Sequence, residues 1–251
     1  MNRPATFLPL RCALEDITIT LDQSGPPPPT DAMLKRWAAA TAANPRLFNG
    51  PILRFTRFDP RSRTIHATSD TYQRYAMQDR PTQVTDQHDH ANAVSHLAVT
   101  GVVVATDRET GTESVVLGKR SGETFVYPCL WEHAPGGGLE TTAIYDQLLC
   151  ELAEELGLEG LDNPEQRDAL LVPPGPTDVL GLAFDPNTPS VDVVVHLRLR
   201  EGAEHALGKD SWEYGDTKLI RTDALPAFLA EHGEHEIIPP AVAIWKGMGW
   251  V

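Results

Sequence analysis

The segment from Ser121 to Gln166 contains ten acidic residues and no lysine or arginine. Three of these acids, Glu151, Glu154 and Glu155, fall within about one turn of a predicted helix. Glutamates separated by three or four residues are neighbours on a helix surface, and their like charges repel each other. Glu154 and Glu155 also come near the end of that helix, where the helix dipole disfavours anions. This placement is unfavourable unless a cation balances it.

The same segment predicts a glycine loop followed by an amphipathic helix over about Thr142 to Leu156. An apolar stripe about 100° wide predicts that one face of this helix packs on a core; its residues are Tyr145, Leu148, Leu149, Leu152 and Leu156. The preceding glycines, Gly136 to Gly138, let the backbone approach a ligand closely. Mg²⁺ and Mn²⁺ prefer carboxylate and carbonyl oxygens and accept phosphate oxygens as further ligands. The combination favours a divalent-metal site, whereas the glutamate spacing alone would favour a solvated acidic helix face.

Composition restricts the partners of this chain. Its 251 residues carry a formal net charge of −14, which argues against general binding to nucleic acid or to anionic membranes. The cysteines, Cys12, Cys129 and Cys150, are odd in number and lack CxxC spacing. A disulfide framework or structural zinc site is therefore not expected, and a reducing cytoplasm is the predicted location. No signal peptide or membrane span is predicted.

A change of sequence texture near residue 92 predicts two parts. Residues 1–92 are expected to form a small α+β extension, with a helix over Asp31 to Ala43, two strands in PILRFTRF and TIHAT, and a short helix capped by Ser69 and Asp70. Four of its aromatic residues are expected to form a core rather than a base-stacking platform; they are Phe48, Phe55, Tyr72 and Tyr75. The polar tract 78–94 is predicted to be a linker or a long loop.

Residues 93–251 are expected to form a mixed sheet with helices on its faces. Strands are predicted in HLAVTGVVVATD, SVVLGKRS, DVLGLAFD, VDVVVHLRL and TKLI, and helices in ALPAFLAEH and PPAVAIWKGMGW, besides the acidic helix. The predicted fold class is thus α/β.

At this point the sequence resembles a known family. GGGLETTAIYDQLLCELAEELGL is similar to the signature of the Nudix hydrolases, G-x5-E-x7-R-E-U-x-E-E-x-G-U, where U is aliphatic. The matching positions are Gly136, Glu151, Leu152, Glu154, Glu155, Gly157 and Leu158. The resemblance covers roughly residues 95 to 235 and implies a Nudix-type α/β/α sandwich. The N-terminal part resembles a Nudix subgroup with an extension of about 90 residues, typified by a UDP-glucose-hydrolysing pyrophosphatase.

Two positions depart from the signature. Thr142 stands where the first glutamate is expected, although a one-residue gap would bring Glu140 to a related place. Cys150 replaces the arginine that orients the catalytic glutamates in the family. These departures affect the rate and the metal geometry, while the three motif glutamates remain.

The resemblance implies roles for particular residues. Glu151 and Glu155 become metal ligands, Glu154 becomes either a ligand or a residue that supports the ligands, and the carbonyl of Gly136 becomes a further ligand. The general base is either Glu151 or an acid from a later loop, for which Glu213 is the candidate. Gly137 is a predicted substrate contact. Lys119 and Arg120, at the end of a strand, are predicted either to meet phosphate oxygens of the substrate or to lie on a solvated hairpin edge.

The implied reaction is Mg²⁺- or Mn²⁺-dependent hydrolysis of a nucleoside diphosphate derivative, with a UDP-sugar converted to UMP and a sugar 1-phosphate as the leading prediction. ADP-ribose-like diphosphates are the next substrates. A rival reading is a catalytically weak or inactive Nudix-fold module that binds or senses a nucleotide. The partner in each case is a small molecule, and a homodimer is left open.

Overall fold

A computed structural model describes residues 4–78, 94–208 and 211–251, so the predicted linker at 78–94 lies almost wholly outside the described residues. The strands are β1 Thr6–Cys12, β2 Thr18–Asp22, β3 Pro51–Asp59, β4 Thr64–Thr71, β5 His96–Thr106, β6 Glu113–Arg120, β7 Trp131–His133, β8 Gly136–Gly138, β9 Val179–Asp185, β10 Ser190–Arg198 and β11 Tyr214–Arg221. The α-helices are α1 Asp31–Ala43, α2 Tyr72–Met77, α3 Ile144–Leu156, α4 Pro164–Leu170, α5 Leu225–His232 and α6 Pro239–Met248.

One mixed sheet joins the strands of the described chain. Its main order is β1-β9-β10-β5-β3-β4-β2, and β6 pairs with β5, β7 and β11, while β8 pairs with β5. The β10–β5 and β2–β4 pairs are parallel and the others are antiparallel. The predicted mixed α/β fold class is confirmed.

Strand β5 is buried between two apolar layers. Leu97, Val99 and Val103 belong to the core that includes α3. Val102 and Val104 belong to a second core that contains residues of α5 and α6. A strand covered on both faces reads as a continuous apolar run, as HLAVTGVVVAT does. The helices therefore lie on both sides of the sheet.

The N-terminal strands are part of this sheet. β1 pairs with β9, and β3 pairs with β5 through Leu53 and Leu97. The backbone amide of Leu53 also donates to the carbonyl of Leu139, at 2.7 Å. Sequence analysis did not predict β1 or β2, and the domain boundary near residue 92 stays a prediction.

Three predicted element boundaries require correction. The glycine run is not a loop: Gly136–Gly138 forms β8, paired with β5. Helix α3 begins at Ile144 rather than Thr142. Ser69 and Asp70 lie within β4 rather than capping α2, and the buried Asp70 carboxylate accepts a hydrogen bond from Arg74 at 2.7 Å. A strand was favoured there because the β4–β3 ladder continues to Thr71.

Other predictions agree with the structure. Helix α1 has the predicted bounds, and Thr30 caps it by accepting a hydrogen bond from the amide of Met33 at 3.3 Å. Within the described ranges, no helix is both long enough and apolar enough to cross a membrane.

Candidate active site

A cavity of about 390 Å³ opens beside β5, β8 and α3. Its acidic wall contains Glu132, Glu140, Glu151, Glu155 and Glu213. Residues from both predicted parts of the chain line it, including Arg46, Phe48 and Tyr72 from the N-terminal part. The cavity therefore brings two of the motif glutamates, Glu151 and Glu155, together with the N-terminal segment.

Glu155 is buried at the centre of the acidic wall, with 3% of its surface exposed. Its Oε2 accepts hydrogen bonds from the amide of Gly136 at 2.9 Å and from the hydroxyl of Tyr214 at 3.0 Å. Burial raises the pKa of Glu155 well above its ordinary value, and the adjacent Glu213 carboxyl and then Glu151 raise it further. This carboxyl group therefore holds a proton more readily than a solvated glutamate does.

Strand β8 presents Gly136 to this carboxylate. Two backbone hydrogen bonds flank the pairing of β8 with β5: the amide of Leu139 donates to the carbonyl of Leu97, and the amide of Gly101 donates to the carbonyl of Pro135. Hydrogen-bonding directions alternate along a strand, so the N–H and C=O of Gly136 point away from β5. The N–H of Gly136 donates to Glu155. The carbonyl of Gly136 points to the same side of the strand pair, where it is a candidate metal ligand.

Glu151 lies against the middle glycine of β8. A β-carbon on Gly137 would be 2.1 Å from Oε1 of Glu151, so a side chain at residue 137 would displace this carboxylate. Gln147, one turn earlier on α3, donates a hydrogen bond to Oε1 of Glu151 at 2.8 Å. Burial raises the pKa of Glu151 to about 7, with smaller contributions from Glu154 and Glu213.

Glu132 on β7 completes the acidic wall beside Arg120. The Arg120 guanidinium donates to Oε1 of Glu132 and, through Nε, to the carbonyl of Val126 at 2.9 Å. The hydroxyl of Tyr214 lies 3.2 Å from the same Glu132 oxygen. Since that hydroxyl has one proton, it can bond to both Glu132 and Glu155 only when one of the two carboxyls is protonated. Burial raises the pKa of Glu132 as well, despite the opposing charge of Arg120.

The structure places the predicted site residues in two groups. Those that line the cavity are Glu151, Glu155, Glu213, Gly136, Gly137 and Arg120. Glu154 is on the exposed face of α3, and Lys119 is directed to the Trp131 ring, 5.8 Å from its centre; neither is among the cavity-lining residues. The ligand role of Glu154 and the substrate role of Lys119 therefore stay predictions without a cavity contact.

Sequence analysis missed several residues that line or support this site. They are Glu132, Gln147, Tyr214, His96 and Asp192. A usable signal existed for Glu132, an acid in the short WEH segment that immediately precedes the glycine run. The others required the strand register or the helix phase. Cys150, at the position of the motif arginine, is exposed, and Gln147 rather than residue 150 binds the glutamate at 151.

The donor set suits a hard divalent cation. Besides burial, which is the largest cause in each case, the Glu213 carboxyl raises the pKa of Glu132, Glu151 and Glu155, so negative charge is concentrated at this point. All donors are carboxylate or backbone oxygens, the ligands that Mg²⁺ and Mn²⁺ prefer. Across residues 4–78, 94–208 and 211–251, no three His, Cys, Asp or Glu side chains are already gathered as a metal-binding group.

The mouth of the cavity is aromatic and basic. Phe48 has 69% of its surface exposed and Trp212 has 52%, although both line the cavity. The guanidinium of Arg46 lies over the Trp212 ring, 5.4 Å from its centre, and pairs with Glu123. Tyr75 is buried as predicted, but the expectation of a core position is wrong for Phe48.

Comparisons with known proteins identify similar structures. The chain matches no protein-family model and no curated protein. RenU, a Nudix hydrolase from M. Smegmatis, is 15% identical, with 62% of this chain and 84% of that chain covered and a TM-score of 0.40. A C. elegans Ap4A hydrolase, solved as a binary complex, is 14% identical, with 61% and 95% covered and a TM-score of 0.38.

A third similar structure is the NUDIX domain of Shewanella oneidensis NrtR, solved with ADP ribose. It is 14% identical, with 65% of this chain and 92% of that chain covered and a TM-score of 0.34. Identities and TM-scores this low do not specify a reaction or a ligand for this chain. Its chemistry is therefore inferred from its own cavity.

Proposed function

We propose that this protein is a divalent-metal-dependent hydrolase of the Nudix type that cleaves the diphosphate of a nucleoside diphosphate derivative. A UDP-sugar is the leading substrate, with UMP and a sugar 1-phosphate as products. The carrying observation is the convergence of Glu132, Glu151, Glu155 and Glu213 beside the β8 glycines in one cavity. Such an excess of buried carboxylates favours a cation and a ligand that brings phosphate oxygens.

In this proposal Glu151, Glu155 and the carbonyl of Gly136 hold Mg²⁺ or Mn²⁺. Glu154, from the exposed side of the same helical turn, is an additional ligand. A metal held there would neutralise charge on the phosphate oxygens and would activate the attacking water. Arg120, and Lys119 at the end of β6, are the cations proposed to meet the phosphates.

The chain's own acids supply proton transfer in the proposed reaction. Water adds to one phosphorus, the bridging P–O bond breaks, and a carboxylate takes the proton of the attacking water. Glu213 is half-buried beside Glu155 and is the proposed base. Glu151, which lines the same cavity, is the alternative base.

A substrate screen tests this function. Purified wild-type protein is incubated with Mg²⁺ or Mn²⁺ and UDP-glucose, other UDP-sugars or ADP-ribose, and released monoesters are detected by coupled phosphatase. Turnover of a UDP-sugar that disappears with EDTA is expected. The absence of turnover on every diphosphate with both metals would overturn the proposal. Turnover of ADP-ribose alone would support the proposed diphosphate hydrolysis but would show that ADP-ribose, rather than a UDP-sugar, is the substrate.

The second candidate is a nucleotide-binding or sensor module without catalysis. It is favoured by the absence of the motif arginine, since Cys150 is exposed and makes no substitute contact with Glu151 among the hydrogen bonds of the described chain. Mass spectrometry of the bound nucleotide distinguishes the two: an intact ligand after prolonged incubation with Mg²⁺ indicates binding alone.

We further infer a cytoplasmic location and a small-molecule partner, with a homodimer left open.

A further inference from the structure

The floor of the cavity contains two buried polar atoms that the acidic wall does not use. They are Oδ1 of Asp192 on β10 and Nε2 of His96 on β5, and within the described residues neither has a hydrogen-bond partner. The other oxygen of Asp192, Oδ2, accepts a hydrogen bond from the hydroxyl of Thr100 at 3.0 Å. An unpaired buried polar atom is destabilising, so this pair is expected to meet a ligand or water.

The strand register puts both groups on one face of the sheet. In the parallel β10–β5 pair, Ser190 is the partner of His96 and Asp192 is the partner of Ala98. Residues two apart on a strand point to the same side, and neighbouring strands are about 4.8 Å apart. His96 and Asp192 are therefore diagonal neighbours, and both line the cavity.

The floor continues directly into the acidic wall. A β-carbon on Gly136 would lie 3.7 Å from the hydroxyl of Thr100, and the amide of the same glycine binds Glu155. Asp192, bonded to Thr100, also lines this cavity.

The chemistry of the two groups selects the ligand. Asp192 offers a carboxylate oxygen as acceptor, which repels phosphate and pairs with a donor. His96 is packed against the Tyr75 ring, with ring centres 4.8 Å apart, and a β-carbon on Gly138 would lie 2.3 Å from Nε2. Burial lowers the pKa of His96 to about 4, so the ring is neutral at pH 7. A hydroxyl group both donates and accepts and pairs with either atom.

We propose that Asp192 and His96 form a subsite that binds hydroxyl groups of the sugar joined to the diphosphate. The proposal rests on the proposed function for the identity of the diphosphate. It assigns the sugar, rather than the nucleobase, to the sheet floor next to the acidic wall. The nucleobase end is then directed toward the mouth formed by Phe48 and Trp212.

Equilibrium binding tests this subsite without requiring turnover. Calorimetry compares two non-hydrolysable α,β-methylene UDP derivatives, one carrying glucose and one carrying a cyclohexyl group of the same ring size without hydroxyls. The wild type should bind the glucose compound at least about 10-fold more tightly, as expected for hydrogen bonds to a charged group. Equal affinity for the two compounds would overturn the subsite.

Variants then assign the preference to Asp192. Asp192→Asn should reduce the preference for the glucose compound, measured as the ratio of the two dissociation constants in the same protein, to within about 2-fold. The matched control is Asp216→Asn, which removes the same charge from an exposed position of β11 outside the cavity and should keep the preference. A preference retained in Asp192→Asn would contradict the proposal.

The outcomes separate this subsite from the proposed function. The wild-type comparison of the two ligands needs no variant, so it remains decisive if Asp192→Asn does not fold. A wild type that hydrolyses no diphosphate, yet shows a preference that depends on Asp192, refutes the function and supports the subsite. A wild type that hydrolyses UDP-glucose but binds the two compounds equally supports the proposed function and refutes the subsite.

Discussion

Glu151 links the stability of the metal-free protein to pH. Its pKa is raised from 4.5 to about 7, chiefly by burial. The folded state therefore binds more protons than the unfolded state between these values, and its stability falls as pH rises through this window. The full penalty, present above pH 7, corresponds to roughly 3 kcal/mol.

Glu151→Gln should stabilise the metal-free protein at pH 8 and change its free energy of unfolding little at pH 4. Urea unfolding at both pH values, in EDTA, measures this, and an equal effect at both would contradict it.

Substitution of Glu155 should have different effects on the melting temperature in the absence and in the presence of metal. Glu155→Gln preserves its shape and removes one charge from the acidic wall, so the melting temperature in EDTA should stay the same or rise slightly. Mg²⁺ should raise the melting temperature of the wild type by mass action and that of the variant less. Activity should fall by at least about 100-fold when metal stabilisation is lost.

Thermal melts with and without Mg²⁺, beside a rate assay, check both parts of this prediction. Glu159→Gln is the matched control, since it removes a charge from an exposed residue beyond α3 and outside the cavity. A Glu155→Gln protein that melts lower in EDTA and hydrolyses at the wild-type rate would show that the acids are structural.

Among the elements, helix α3 and strand β5 were predictable because their patterns extend over many residues. The apolar stripe fixed the buried face of α3, and the run HLAVTGVVVAT identified a strand covered on both sides. β8 was missed because three glycines carry no side-chain pattern, and only pairing with β5 makes them a strand. Likewise Asp192 reads as an ordinary polar residue in VDVVV; its place in the cavity depends on the register with β5.

The segment between α1 and β3 contributes Phe48 to the mouth of the cavity. An aromatic side chain with 69% exposure contributes little to the core but presents a face to a nucleobase, and such stacking is worth about 1–3 kcal/mol. Phe48→Ala should therefore raise KM by about 5- to 100-fold with kcat and melting temperature nearly unchanged. Leu34→Ala, on the exposed side of α1, is the control. Steady-state kinetics decides it, and a fall in kcat with constant KM would count against stacking.

At the scale of the whole molecule, the predicted boundary near residue 92 does not coincide with an edge of the sheet. β3 lies between β5 and β4, and β1 forms the edge beside β9. Ile65 and Ala67 of β4, fully buried, belong to the same core cluster as Leu148 and Leu152 of α3. The sequence shows a change of composition near residue 92, whereas the packing of these strands depends on contacts between residues that are distant in the chain.

This continuity predicts that residues 93–251 will not fold stably alone. Removal of residues 1–92 exposes the β-strand edges that β1 and β3 cover, together with apolar residues such as Leu97 that pack against them. Uncovered apolar edges promote association between chains. The truncated protein should therefore aggregate or lose its cooperative thermal transition, whereas a chain lacking only residues 1–5 keeps every described strand and should retain it. Size-exclusion chromatography and calorimetry of both proteins provide the comparison, and a monomeric 93–251 fragment with wild-type melting would establish an independent domain and refute this prediction.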